Sequence, residues 1–271
     1  MRVAIIGGGA IARLLLQHVQ RSSQDGFEVI AIGGRSAASR GATLAREYGV
    51  PFITDPSGIV ALAPDAVVEA ASHDWVRSSA EALLVQGIAV IVLSCGALAD
   101  DALRARLEAA ARQGRTRLYV PSGGIGGLDA LKAACAAGVD SVEIVVRKPA
   151  AAWRGIAYVE TLGLDLERLA GETVLFEGPA RAGVPLFLAN VNIAAALSMA
   201  GVGFDRTRLK VVADPALQRN THSIRVCGAS GTIDIRFESV PFPDNPKTAM
   251  LAAYSALAAV REFASPVRYG T

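Results

Sequence analysis

The chain has 271 residues, 52% of them hydrophobic and 19% charged; this fits one large or two modest domains around a substantial core and excludes extended disorder. A formal net charge of +2 gives no case for nucleic acid as a partner. The mean hydropathy of +0.37 is spread over many short segments, and the apolar run 88–93 falls far below the roughly 20 residues a spanning helix needs, so no membrane is expected.

Residues 3–6 form a short β-branched run, and 10–20 follow with helical periodicity that puts Leu14, Leu15 and Val19 on one face. A strand over 27–32 and a helix over 37–48 come next, then a strand at 66–69 and a helix around 75–86. A continuous apolar strand at 88–93, a helix over 100–113 and a strand at 118–120 complete the alternation. Strands without polar alternation, separated by amphipathic helices, predict a parallel sheet covered on both faces. The expected fold class is α/β, with an N-terminal Rossmann doubly wound parallel sheet over 1–121.

Past Pro121 the rhythm changes. A helix is expected over 126–137, strands at 141–147 and 173–176, an alanine-rich helix over 189–199, and three close strands at 209–213, 223–227 and 232–240. The last sets Ile233, Ile235, Phe237 and Val240 among Asp234, Arg236, Glu238 and Ser239, the pattern of an antiparallel sheet with one wet face. A second α+β substrate domain with a mixed or antiparallel sheet is therefore expected over 122–245. A terminal helix over 248–262 lies in a segment, 246–271, expected to pack back on the first domain.

Gly7-Gly8-Gly9-Ala10-Ile11-Ala12 fits G-x-G-x-x-A between the first strand and the first helix. Gly7 allows the tight turn, Gly9 lets the backbone approach a pyrophosphate, and Ala12 permits close helix–strand packing. Ala10 and Ile11 open the helix, whose unpaired N–H groups and positive dipole end suit phosphates. The segment predicts a nicotinamide-dinucleotide cofactor and hence an oxidoreductase; the competing reading is a tight turn in an α/β fold that binds something else. The glycines also interrupt the N-terminal apolar stretch, against a secretory signal, and a soluble, cytoplasmic protein is expected.

An acid at the end of the second strand would accept hydrogen bonds from the adenosine ribose. Arg35, Ser36 and Arg40 stand there instead, and they can grip a 2′-phosphate by charge-assisted hydrogen bonds. NAD or NADP is thus expected, with NADP favoured by these residues, against the plainer alternative of two solvated arginines. Cys95, Cys135 and Cys227 lie far apart without CxxC spacing, so no metal site or disulfide is expected.

Four later segments carry polar groups suited to chemistry: Pro121-Ser122-Gly123-Gly124-Ile125-Gly126-Gly127-Leu128-Asp129; Asn190-Val191-Asn192; Ala213-Asp214-Pro215 with Arg219-Asn220-Thr221-His222; and Asn245-Pro246-Lys247-Thr248. Together they resemble the L-aspartate dehydrogenase family through nearly the whole chain. Members more often read SGAIGG, so Gly124 stands where alanine is usual. The resemblance implies that Gly124 and Asn190 contact the cofactor and that His222 is catalytic, in a Rossmann domain followed by an α/β domain lining the substrate crevice. It also implies the reaction: hydride transfer from Cα of L-aspartate gives iminoaspartate, which water converts to oxaloacetate and ammonia, reversibly, or which feeds NAD biosynthesis.

Such chemistry needs a group that titrates near neutrality, and histidine, with an unperturbed pKa of about 6.5, suits it. His18 reads as packed or surface, and His73, within Ser72-His73-Asp74, as a helix start more than a nicotinamide neighbour. His222, read without the resemblance, is an ordinary strand histidine. Asn220, Lys247 and Thr248 are candidates for binding a dicarboxylic amino acid, although Asn245 as N-cap with Pro246 behind it gives Lys247 a bland setting. Cys95 reads as packing and Asp214 as a turn residue. No lysine has the glycine-rich setting of the glutamate- and leucine-type dehydrogenases. Two rivals stay open: a reductase of similar design acting on another imine or a semialdehyde, and a dinucleotide-binding sensor without catalysis. A homodimer is the expected assembly.

Overall fold

A computed structural model describes residues 1–21, 25–242 and 245–270, with only the backbone described at 188, 189, 241 and 245–248. The chain forms two compact units, Met1–Pro121 with Ala253–Tyr269, and Ser122–Ala252 with Gly270. Among the described residues no helix is long and apolar enough to cross a membrane.

The first unit is built on β1 (Arg2–Ile6), β2 (Glu28–Gly33), β3 (Phe52–Ile53), β4 (Ala66–Glu69), β5 (Ala89–Val92) and β6 (Leu118–Tyr119). They form one sheet in the order β3-β2-β1-β4-β5-β6, with every pair parallel. β4 and β5 are buried along their whole length, which is why their sequences run apolar instead of alternating. Its helices are α1 (Ala10–Arg21), α2 (Arg40–Tyr48), α3 (Pro56–Ala61), α4 (His73–Val85) and α5 (Asp101–Gln113). In α1 the buried face is Ala12, Leu14, Leu15 and Leu16; each leucine so buried contributes about 1.5–3 kcal/mol.

The helix expected over 37–48 begins at Arg40. Residues 36–39 make a turn instead, the Ser39 N–H donating to the Ser36 carbonyl and the Ala38 N–H to the Ser36 hydroxyl. Ser39 then caps α2 by accepting from the Ala42 N–H. β3 and α3 are too short, at two and six residues, to leave a periodic signal.

The second unit contains α6 (Leu128–Ala137), β7 (Val139–Lys148), α7 (Ala157–Thr161), β8 (Thr173–Pro179), α8 (Ala180–Phe187), α9 (Asn192–Ala200), β9 (Thr207–Ala213), β10 (Asn220–Gly228) and β11 (Gly231–Ser239). Its sheet runs β11-β10-β7-β9-β8. β7 and β9 are parallel, while the other three pairs are antiparallel, so the sheet is mixed. One face carries Val142, Ile144 and Val146 of β7 beside Leu209, Val211, Ile224 and Val226, all buried. Trp153 closes this core from the loop after β7: it is wholly buried, its indole N–H donates to the Val212 carbonyl at 3.1 Å, and Phe187 meets its ring edge-on at 5.6 Å.

Two expectations change here. The alanine-rich helix starts at Asn192, after a 3-10 turn over Leu188–Val191. At the C-terminal end, Asn245–Ala249 is strand β13, paired antiparallel with β12 (Pro241–Phe242). Asn245 and Pro246 therefore do not start a helix: α10 runs Met250–Ala264, and the Met250 N–H donates to the Val240 carbonyl. α8 lacked a readable helical signal because Pro185 and Gly183 interrupt it.

Candidate active site

The glycine-rich turn follows β1 in the first unit, at the switch point between β1 and β4 where the strand order reverses. Gly7 has φ +108, and a Cβ there would lie 2.5 Å from the Ala70 carbonyl oxygen. A Cβ on Gly8 would meet the backbone nitrogen of Gly41 at 2.2 Å, so the turn is packed against the first residues of α2. A Cβ on Gly9 would meet nothing within 4 Å among the described residues. Ala10 and Ile11 open α1, which has no acidic residue in its first turn to compete for its N–H groups. Ala12 is wholly buried.

Arg35 and Ser36 are exposed on the connection between β2 and α2, and Arg40 is exposed as the first residue of α2. The Gly8–Gly41 approach brings the start of that helix against the glycine turn, so the two segments expected to bind the cofactor adjoin. Nearby, Ser72 caps α4 by accepting from the Trp75 N–H, and His73 is the first helical residue. Cys95 is buried in a 3-10 turn after β5, and His18 contacts Asp25 and stacks on Phe27. Asp214 accepts from the Ala216 N–H in a turn.

In the second unit, β10 pairs with β7 and β11 so that His222 lies between Val146 and Phe237. Side chains alternate along a strand, so His222 shares the buried face with Ile224 and Val226. Only 3% of His222 is exposed, and its Nδ1 has no hydrogen-bond partner among the described residues. Burial first, and then the charge of Lys148, push its pKa down to about 3, against a contact with the Thr221 backbone. The imidazole is thus neutral at physiological pH, well below the near-neutral range expected of it.

Lys148 was not among the residues singled out by sequence. It ends β7 on the same face as Val142, Ile144 and Val146 and is itself buried. Its Nζ donates to both the carbonyl and the Oδ1 of Asn190, each at 3.0 Å, and lies 5.0 Å from the centre of the Trp153 ring. Burial pushes its pKa down to about 8. A period-2 reading of β7 would have found it, because it places a lysine in phase with three core aliphatics.

Asn190 is therefore drawn to Lys148, and Asn220 begins β10 two residues before His222, half-buried. Ser239 ends β11 opposite Asn220, and its buried hydroxyl has no partner among the described residues. At Gly124 a Cβ would make ordinary contacts with Ile193 at 3.6 Å and Ala249 at 3.8 Å, so the alanine usual there would fit. The side chains of Lys247 and Thr248 lie outside the described residues; their backbones belong to β13 rather than to a helix start. No cluster able to hold a metal occurs among the described residues.

Comparison with known proteins agrees with this layout. A profile described as aspartate dehydrogenase, C-terminal, matches residues 129–263, and one described as homoserine dehydrogenase, NAD binding domain, matches 7–121. The chain is 38% identical over 270 residues to an L-aspartate dehydrogenase of Methanocella arvoryzae, covering 100% of this chain and 99% of that one. It is 43% identical over 262 residues to L-aspartate dehydrogenase 2 of Bordetella pertussis, covering 96% of each. The crystal structure of aspartate dehydrogenase from Thermotoga maritima superposes with a TM-score of 0.75 at 30% identity, over 100% of this chain and 99% of that one.

Proposed function

Since the chain belongs to the L-aspartate dehydrogenase family, we propose that it catalyses NAD(P)-dependent oxidative deamination of L-aspartate to iminoaspartate, hydrolysed to oxaloacetate and ammonia, and the reverse reductive amination. The observation that carries the residue assignment is the pair His222 and Lys148, two titratable groups buried on one sheet face where a core needs neither. A bound nicotinamide supplies the two-electron acceptor for the Cα hydride. Gly7, Gly9, Ala10 and Ile11 hold the pyrophosphate, and Gly124 and Asn190 contact the cofactor.

His222 is the catalytic base. Held neutral, it has a lone pair to take a proton from the substrate ammonium; once that proton has passed to solvent, the same nitrogen takes one from the water that attacks the imine. Among the described residues its Nδ1 has no partner to give up first. Lys148 carries three N–H donors, two of them taken by Asn190; the third is left for a substrate carboxylate. Asn220, Lys247 and Thr248 complete substrate binding in this reading.

Arg35, Ser36 and Arg40 make NADP acceptable as well as NAD: they are exposed together beside the start of α2, and Ser36 keeps its hydroxyl proton for donation while accepting from Ala38. The same reading takes the protein as a cytoplasmic homodimer; light scattering that returns the 28.1 kDa of a single chain would overturn the dimer.

The test is turnover. Protein given oxaloacetate, ammonia and NADH or NADPH should consume the reduced cofactor. Binding of NADH without turnover at high ammonia would favour the sensor, and turnover only with other imines or semialdehydes would favour the rival reductase.

A further inference from the structure

Glu69 is the last residue of β4, beside Ile6 of β1, and is wholly buried. Its Oε1 accepts from the Ala71 N–H at 2.8 Å, the Ser72 N–H at 2.9 Å and the Ser94 hydroxyl at 2.9 Å, and its Oε2 accepts from the Ser94 N–H at 2.9 Å. One side chain thus ties the turn after β4 to the turn after β5. Both turns leave the carboxyl edge of the sheet, where ligands of doubly wound folds lie.

The tie reaches the glycine turn as well. The Ala70 N–H donates to the Ile6 carbonyl, and the Ala70 oxygen is the atom that a Cβ on Gly7 would strike. Where residues 70–72 sit therefore decides how closely Gly7 can pass. Ser72, held by Glu69 through its N–H, also caps α4. Burial pushes the Glu69 carboxyl above its ordinary range while these donations pull it back. All four partners donate, so the pocket is shaped for an acceptor-only group.

We propose that Glu69 is a positioning residue for the cofactor: a buried carboxylate that clamps the turns after β4 and β5 into one rigid floor under the dinucleotide. It touches neither cofactor nor substrate and acts through Ala70–Ser72 and Ser94. An amide at this position can keep the partners of Oε1, but its NH2 then opposes the Ser94 N–H, which leaves the two turns joined through the Ser94 hydroxyl alone.

The test uses the intact protein, Glu69→Gln and the milder Ser94→Ala, with NADH binding followed by fluorescence, NAD+ by competition, and kcat measured at saturating cofactor. Glu69→Gln should weaken NADH and NAD+ together by about tenfold, and Ser94→Ala both by about threefold. In each, kcat and the KM for aspartate should stay within about twofold of wild type, a split that general loss of structure does not give. Wild-type cofactor affinity in folded Glu69→Gln and Ser94→Ala would overturn the clamp. So would a loss confined to NAD+, which marks a direct charge effect. Should Glu69→Gln not fold, Ser94→Ala decides alone. Failure of the wild-type protein to bind NADH would count against the cofactor reading itself, not the clamp.

Discussion

Lys148 and His222 lie on one buried face of the second unit's sheet, and the ammonium's charge helps keep the imidazole neutral. The lysine thus acts on the histidine, while its own pKa is lowered by burial. Replacing His222 by alanine should lower kcat by about 10²- to 10⁴-fold, the usual worth of a positioned base, while leaving the dissociation constant for NADH unchanged. Near-normal kcat in that variant would move the catalytic role elsewhere.

Lys148→Met should lower kcat and raise the KM for aspartate. It should also raise the His222 pKa, because one of the two causes that depress it disappears and only burial is left. A pH titration of the imidazole carbon resonances reads this directly. An unmoved or lowered pKa would show that the two groups do not sense one another.

Gly8, Gly9 and Gly124 should separate by function. Gly8→Ala sets a methyl 2.2 Å from the Gly41 nitrogen, backbone against backbone, so the start of α2 must shift. A lowered Tm is expected, by several degrees for a cost of one to two kcal/mol, about 2–4 °C per kcal/mol at this size. Gly9→Ala meets nothing within 4 Å among the described residues; its Tm should hold while the KM for the cofactor rises. Gly124→Ala, with only ordinary contacts to make, should hold Tm and keep the KM for the cofactor within about twofold. Equal thermal losses in Gly8→Ala and Gly9→Ala would remove the distinction.

Arg35 and Arg40 bear on cofactor choice. A ribose 2′-phosphate gains from two guanidinium groups what a hydroxyl cannot. Arg35→Ala and Arg40→Ala should each lower kcat/KM for NADP by about tenfold, the effect of one exposed-to-half-buried charged contact, and leave NAD within about twofold. A wild-type enzyme strongly selective for NAD, with that selectivity unchanged in Arg35→Ala, would show the arginines to be solvated surface.

The alternation of strands and helices in the first 121 residues could be read because β4 and β5 are buried throughout and their helices are amphipathic and capped by Ser72 and Asp100. What was lost there was short: β3 has two residues. In the second unit the local signals conflict. Pro185 sits inside a helix, and Asn245-Pro246, good chemistry for a helix start, lies in a strand held by pairing with β12. The site was legible in part for the same reason. His222 came from a resemblance; the residues themselves offered an ordinary strand histidine. Lys148 was hidden by a rule about glycine-rich settings, although its phase with Ile144 and Val146 pointed inward all along.

The buried pair also fixes how stability should follow pH. His222 is depressed from 6.5 to about 3 in the folded protein, so between those values the unfolded chain binds the extra proton. Its contribution is present in full above about 6.5 and is lost as pH falls toward 3. Lys148 is depressed from 10.5 to about 8, with the same sign: its contribution is full above the unfolded value, falls as pH drops through this window, and is level below it. Each group contributes at most one proton's slope, about 1.4 kcal/mol per pH unit. Urea unfolding across both ranges should show stability rising with pH. His222→Gln should flatten the acid window and Lys148→Met the alkaline one. Lys148→Met should also narrow the acid window from below, since the histidine's folded pKa then moves up toward its unfolded value. Unchanged acid slopes in both variants would mean that neither group is held as the buried face implies.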